Sequence, residues 1–476
     1  MKTISWKFWC LLVAVCLSNA IAINAAIVKG TVKDTNGNPV AGVVVTDGKN
    51  FSVTDVQGSY RMNSDPLRNP LVYISTPAAY ELPQKNGIAD GFYQYQDAKK
   101  KENECNFVLK KREKMTDSFV FIPISDPQVR NEHELDRFRN ETVVDLRATV
   151  EELAGGEIIG MGLGDLVFDV MELSEPYKKA VSNLGMTMFQ LMGNHDFDQK
   201  YVDMERTPLP ENGYAESNYF RHFGPTDYSF NVGKVHVVAM KDIDYTGRKK
   251  YTERFTEAQL AWLKKDLSYI PKGSLVFLNV HAPVSNSTVS AGGNARNANA
   301  LFNILRPYKV HIFSGHTHYF ENTEPAPTIY EHNIGAACGA WWAGNVNRCG
   351  APNGYLVVNV DGTDVKWRYK ATGHPADYRF RLYKPGEFES QSGYVVVNVW
   401  DCDRTYTVNW YEDGKLKGAM QQFNDEDQDY ITMKKGKKSG YHTRHLYRAK
   451  PSGKAKKIRV EVTDRFGDVF VQEVKL

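Results

Sequence analysis

The chain has 476 residues, 42% of them hydrophobic and 24% charged. That length exceeds one ordinary core and predicts two or three domains, and the composition excludes a disordered chain. The net charge of +3 gives no global attraction to nucleic acid, so neither RNA nor DNA is expected as a partner.

The first residues read as a targeting segment. Lys2 and Lys7 precede the short apolar run "CLLVAVCL", and small residues follow in "SNAIA". This is the pattern of a secretory signal over residues 1–22, cleaved after Ala22 or, alternatively, after Ala25. The run is too short to span a bilayer comfortably. Cys16 offers a lipoprotein alternative, ranked second because Val15 fits poorly just before it. The expectation is a periplasmic or secreted protein with no transmembrane segment. Once Cys10 and Cys16 leave with the signal, Cys105, Cys338, Cys349 and Cys402 remain, none at zinc-type C-x-x-C spacing. Export permits disulfides. Cys338 and Cys349, close in sequence around a Gly- and Trp-rich loop, are the candidate bridge, with buried free thiols as the alternative.

Residues 23–112 follow as short strands. "IVKGTVKD", "GVVVTD" and "GSYRM" are β-branched or alternating and are separated by turn signals such as "TNGNP". The stretch resembles the small transthyretin-like sandwich called carboxypeptidase-regulatory-like; nothing in it has the look of a catalytic set, so a structural or surface-contact role is expected.

Residues 113–372 change character. Apolar strands "SFVFIPIS", "EIIGMGLG", "TMFQLMG", "SLVFLNV" and "KVHIFSG" alternate with amphipathic stretches. In "TEAQLAWLKKDL", Thr256 and Gln259 predict a capping box. "HELDRFRNETVVDLRATVEELAG" predicts a helix stopped at Gly155 and Gly156, and "YSFNVGKVHVVAM" predicts a hairpin. The pattern is that of an α/β domain whose sheets are sandwiched by helices. Over residues 373–476 strands return, in "GYVVVNVWD", "TYTVNWYEDGK" and "KIRVEVTDRFGDVFVQEV", as a small β domain. The acidic "NDEDQD" and the eleven Lys and Arg between Lys434 and Arg459 read as solvated loops.

Chemistry gathers where the middle strands end. "FIPIS" ends at Asp126 and Gln128, "IIGMGLG" at Asp165, and "FQLMG" at Asn194, His195 and Asp196. "VFLNV" ends at His281, and "VHIFSG" at His316 and His318, expected on a strand extension and projecting to one side. Ligands of open α/β sheets bind beyond the carboxyl ends of the strands, so these residues can converge. Carboxylate, amide oxygen and imidazole without thiolate suit divalent Mn, Fe or Zn and argue against a structural zinc. Two such ions about 3.5–4 Å apart can bridge a hydroxide and clamp a phosphoryl group.

In this order, "SDPQ", "GDLVFD", "GNHD", "VHAP" and "GHTH" resemble the five blocks of the calcineurin-like metallophosphoesterase superfamily. The resemblance covers the middle domain and implies hydrolysis of phosphate monoesters, diesters or diphosphates, on small-molecule or protein substrates. It implies a first metal held by Asp126, Gln128, Asp165 and His318. The second would share Asp165 and take Asn194, His281 and His316. His195 would stand beside the phosphate as proton donor or charge stabiliser, oriented by Asp196. Gln128 departs from the usual histidine. A D-x-Q first block is similar to a branch with manganese-dependent ADP-ribose/CDP-alcohol diphosphatases and a calcineurin-like protein phosphatase group, which favours Mn²⁺. The flanking β domains resemble those of exported bacterial members.

Other residues read more plainly. His236 and His311 lie inside strands and are expected in the core; His133, His222, His332, His374, His442 and His445 are expected at the surface. Asp169 is expected to fix a loop. Trp341 and Trp342 are expected to pack in the core in preference to stacking a substrate ring. Asn286 and Arg296, in the loose loop after His281, are weak candidates for the cleft. The reading from another class is a non-catalytic envelope- or glycan-binding protein whose metal site is a relic weakened at Gln128.

Overall fold

A computed structural model describes residues 26–153, 155–206, 214–285 and 294–476. The segment read as a secretory signal, residues 1–22, and Asn286 lie outside the described residues. Among the described residues, no helix is long and apolar enough to cross a membrane.

Two sheets form the centre. The first, seven strands among the described residues, has Ser118–Ile124 parallel to Glu157–Leu163, which is parallel to Thr187–Leu191. The antiparallel pair Gly354–Asp361 and Asp364–Ala371 continues one side of it. In the second, of six strands among the described residues, Val235–Ala239, Leu275–Asn279, Lys309–Ser314 and Ile329–Asn333 run parallel in that spatial order. The parallel strands are mostly buried on both faces, as such strands must be when each face is covered.

The sheets pack on each other directly. Phe121 of the first lies 5.4 Å from Phe277 and 5.2 Å from Phe313 of the second, ring centre to ring centre, and Phe189 stacks on Phe230 at 4.1 Å. Helices therefore cover only the outer faces. The alternation of a strand shows it: Phe189 points inward, while its neighbour Gln190 points outward and meets the Tyr177 hydroxyl of helix Ser174–Ala180 at 3.1 Å. Helix Glu257–Asp266 begins with the capping box of Thr256 and Gln259. The long amphipathic stretch is one helical run with a π-helical middle, Phe138–Val143, between Glu132–Arg137 and Val144–Glu152, and Leu153 closes it. Its N-terminus is capped by Asn131, whose side chain accepts from Glu134 N.

The N-terminal strands form two small sheets. Their apolar side chains, including Val28, Val45 and Ile74, belong to the same continuous core as Phe121 and Phe277. Ile88–Ala89 pairs parallel to Thr187–Leu191 through Met188, so this region also covers the open edge of the first central sheet. The C-terminal strands form two antiparallel sheets, four strands each among the described residues, around a separate core of Val395, Val397, Trp410, Ile458 and Val460.

Some expectations are corrected here. His332 and His445 are buried, not at the surface. His332 stacks on His311 with Nε2 3.1 Å from His311 Nδ1, because Ile329–Asn333 is an inner strand of its sheet. His236 is buried as expected and is bonded to Asp266 and Asn231, each at 2.8 Å. Among the described residues Cys105, Cys338, Cys349 and Cys402 are buried free thiols, so the Cys338–Cys349 bridge is not formed. The two sulfurs have other neighbours: Cys338 Sγ lies 3.7 Å from His318 Nδ1, and Cys349 Sγ accepts from Phe320 N at 3.3 Å.

Candidate metal centre

The parallel strands of both sheets deliver their carboxyl ends to one cleft. Asp126, the first residue but one beyond Ser118–Ile124, is fully buried. Its Oδ2 accepts from His316 N at 2.8 Å and from the Ser125 hydroxyl. Its Oδ1 lies 3.6 Å from His318 Nε2 and 3.5 Å from Gln128 Nε2. Asp165, just past Glu157–Leu163, accepts from His195 N at 2.8 Å and faces His281 Nε2 at 3.3 Å through Oδ1. His281 Nε2 in turn lies 3.0 Å from Asn194 Oδ1 and 3.1 Å from His316 Nδ1. The fold thus brings Asp126, Gln128, Asp165, Asn194, His281, His316 and His318 into one cluster.

Backbone geometry makes this possible. Asp126, Gln128, Asp165, His316 and His318 have φ of 49°, 44°, 50°, 69° and 54°. Such left-handed conformations cost free energy in non-glycine residues and persist where the surroundings over-determine them, as at ligand-holding sites. His316 and His318 therefore sit on a turn beyond Lys309–Ser314, not on a strand extension. They diverge: His316 turns toward His281 and has Nε2 3.6 Å from Glu253 Oε1, whereas His318 turns toward Asp126. Gly315 between strand and turn admits no side chain, since a Cβ there would lie 1.6 Å from Ser125 Oγ and 2.6 Å from Asp126 Oδ2.

The donor set fits divalent cations. His281 Nδ1 is 2.8 Å from Leu163 O, and His318 Nδ1 bonds Gly339 O. Each carbonyl fixes its ring with the proton on Nδ1 and the Nε2 lone pair turned into the cluster, the orientation a metal-binding imidazole takes. His318 Nε2 is buried and has no hydrogen-bond partner among the described residues. Asp165, His281 and His316 offer ligand atoms all within 4.8 Å of one another. Charge agrees: burial lowers the His281 pKa, but Asp165, Asp126 and Asp242 together outweigh it and push the group up to about 10. A field that holds a proton so firmly also attracts a cation. Burial pushes His318 down to about 4, leaving it neutral and able to ligate.

Gln128 has an unexpected posture. Its amide nitrogen donates to Asp165 Oδ2 at 2.7 Å. To offer its oxygen to an ion instead, the amide must turn over, which exchanges a donor for an acceptor at the same place.

His195 packs on Phe168, the ring centres 3.7 Å apart. Its Nδ1 lies 2.9 Å from Asp169 Oδ1, and Lys249 Nζ holds the other oxygen of Asp169 at 2.8 Å. Asp196 does not orient His195. Its oxygens accept from Leu166 N, Val167 N and Gly193 N at 2.9, 3.1 and 2.8 Å, so it ties the second and third strand-end loops together. Asp169 is thus more than a loop-fixing residue. Burial lowers the His195 pKa, but Asp165 and Asp169 reverse the sign and hold it above the ordinary imidazole value.

Asp242 was not singled out by the sequence reading. It is fully buried and accepts from His281 N and Ala282 N, each at 3.1 Å, fixing the histidine from behind. It follows the apolar strand Val235–Ala239, so the strand-end rule that marked the other five runs also reaches it. Tyr251 and Glu253, brought to His316 by a hairpin, carried no such signal. Trp342 is buried and donates its indole N–H to Pro127 O at 2.9 Å. Trp341 is half-buried against His318. Arg296 donates its backbone N–H to Glu253 O, at 2.8 Å, and, after His316, its charge helps hold the Glu253 carboxyl below its ordinary value.

The comparison with protein families bears on all three regions. The model of the calcineurin-like phosphoesterase matches residues 119–320, that of the N terminal of the same phosphoesterase residues 26–112, and that of its C terminal residues 331–470. The chain belongs to the calcineurin-like phosphoesterases. It is accordingly a metal-dependent phosphoester hydrolase with an α/β core between β-rich N- and C-terminal regions.

No curated protein matches the chain. Among solved structures, it is similar to a dimetal phosphatase from Danio rerio, with 14% identity over 53% of this chain and 96% of that one, TM-score 0.37. It is similar to a purple acid phosphatase from yellow lupin seeds, with 11% identity over 73% and 72% of the two chains, TM-score 0.40. A 5'-nucleotidase from Candida albicans shares 11% identity over 54% and 52%, TM-score 0.33.

Proposed function

We propose that this phosphoesterase is an exported enzyme with a dinuclear centre, one ion held by Asp126, Gln128, Asp165 and His318 and the other by Asp165, Asn194, His281 and His316. The observation that carries the reading is the buried, unpartnered Nε2 of His318 facing Asp126, within a cluster whose field favours cations. Bound ions would supply an activated water and neutralise the phosphoryl oxygens. The protein's own residues do the rest. Asp165 stands between the two ligand sets. Asp169 fixes Nδ1 of His195, which leaves Nε2 to present a proton to the leaving oxygen. Phe168 covers one face of that ring and limits the approach of water.

Mn²⁺ is the proposed metal, because an amide oxygen at position 128 suits a harder ion than imidazole does. Export is supported by the charged and apolar pattern of residues 1–22, which points to the periplasm or the exterior. The test is metal analysis of reconstituted protein together with hydrolysis of an aryl phosphate monoester and a diester. About two ions per chain and metal-dependent turnover are expected. A single ion per chain with full turnover would overturn the dinuclear assignment.

A further inference from the structure

Beside His318 stands an arginine that the metal cluster does not use. Arg348 donates its backbone N–H to His318 O at 3.0 Å. Its guanidinium carbon lies 4.6 Å from the centre of the Trp341 ring, which itself packs 4.6 Å from the His318 ring. On its other side lies Tyr441, contributed by the C-terminal region, 4.5 Å away. The guanidinium is therefore clamped between two aromatic rings, and only the N–H groups at its edge remain to meet a ligand.

Those groups lack a counter-charge. Arg348 Nε is buried without a hydrogen-bond partner, and among the described residues no carboxylate pairs with this side chain. Two other arginines that reach the same loop are neutralised: Arg130 by Glu134 and Arg137 by Glu141. The side chain is half-buried, and partly withdrawing a cation from water without a partner is costly; stacking on two rings recovers only part of the loss. The clamp also removes rotamer freedom before any ligand arrives, which is what a pre-organised anion site requires. Trp341 has φ of 55°, and its carbonyl accepts from Arg130 Nη2 at 3.2 Å.

We infer that Arg348 is a specificity residue that binds a second oxyanion of the substrate, phosphoryl or carboxylate, next to the phosphate held at the metal cluster. The inference rests on the phosphoesterase reading above and adds a substrate class. Phosphoesters carrying a further negative group, such as diphosphate esters or phosphorylated carboxylic acids, are favoured over esters of neutral alcohols. Tyr441 is a positioning residue, and through it the C-terminal region takes part in substrate choice.

The experiment compares kcat/KM of the Mn²⁺-reconstituted full chain on three substrates: an aryl monoester without other charge, a phosphorylated carboxylic acid, and a diphosphate ester. Wild type is set against Arg348→Met, which keeps an apolar stem between the rings. The ratio of kcat/KM for a doubly anionic substrate to that for the aryl ester should fall roughly 10- to 100-fold, the effect of one lost charged hydrogen bond, mainly through KM. Which ratio falls tells phosphoryl from carboxylate. Arg348→Lys should restore part of it, and Tyr441→Ala should move it in the same direction by less. If Arg348→Met does not fold, the Lys and Tyr441 variants decide by the same ratio. Unchanged ratios in all variants overturn the inference and leave the phosphoesterase reading standing. If metal-loaded wild type cleaves nothing, that reading fails. Equilibrium dialysis with pyrophosphate and inorganic phosphate then decides the role of Arg348: selective loss of pyrophosphate binding in the variant upholds it, and equal binding overturns it.

Discussion

Asp169 Oδ1 lies 2.9 Å from His195 Nδ1, while the carboxylate of Asp196, the immediate neighbour of that histidine, accepts from backbone N–H groups of two loops. The carboxylate that sets the ring therefore comes from the second strand-end loop. His195→Ala should lower turnover roughly 10²–10⁴-fold with metal content near normal. Asp169→Asn should cause a smaller loss in kcat. Asp196→Asn should instead lower the melting temperature, because it unties the loops. Steady-state kinetics, metal analysis and thermal melts on the three variants check the assignment; an Asp196→Asn protein with normal stability and the larger kcat defect would reverse it.

Asp165 faces both halves of the cluster, with Oδ1 toward His281 and Oδ2 accepting from Gln128. Asp165→Asn should be the most damaging single ligand change, losing both ions and all measurable turnover. Metal content by mass spectrometry, measured beside activity, is the check. Retention of two ions and full activity would remove Asp165 from the centre.

Gln128→His should tighten the first site and move its preference from Mn²⁺ toward Zn²⁺, since imidazole is the softer donor. The fold should survive, because position 128 lies in a loop past the strand end. Pro127 limits the freedom of that loop in both proteins. Titration of wild type and variant with each metal is the measurement. Identical affinities and ranking in both would show that residue 128 does not touch an ion.

Gly315→Ala should act on the same site without altering any ligand. The added Cβ would lie 1.6 Å from Ser125 Oγ and 2.6 Å from Asp126 Oδ2, so the carboxylate must move. Loss of the first ion, the one Asp126 would hold, and a lowered melting temperature are expected. Equilibrium dialysis with Mn²⁺ at several concentrations measures the first and calorimetry the second.

Acid should destabilise the protein through its buried histidines. Burial pushes His311 and His445 down to about 3, and burial together with His311 holds His332 well below the ordinary value. The unfolded chain takes up protons at these positions near pH 6.5, whereas the folded chain does not until far lower pH. Stability is thus fully present above about pH 6.5 and falls as pH drops below it, by about 1.4 kcal/mol per pH unit for each such histidine. Melting temperatures from pH 7 to pH 4.5 should show the decline, and His445→Phe should make it shallower. An identical slope in that variant would contradict the account.

Much of the site was legible in the chain itself. Asp126, Asp165, Asn194, His281 and His316 each follow an apolar run closely, and a parallel strand hands whatever comes next to the ligand-binding end of its sheet. That signal is local, so sequence determined it. Side-chain direction is not local. Left-handed φ at His316 and His318 sends their rings apart where a strand would have sent them together, and nothing in "GHTH" announces that. The choice between Asp169 and Asp196 as partner of His195 was settled by which loop folds over which ring, not by spacing. The same holds for the direct packing of Phe121 on Phe277 and Phe313, and for Tyr441 reaching Arg348 beside the centre. Strand periodicity records which face of an element is apolar. It does not record which distant element covers that face, and only tertiary packing, which sets close contacts between residues far apart in the chain, decides it.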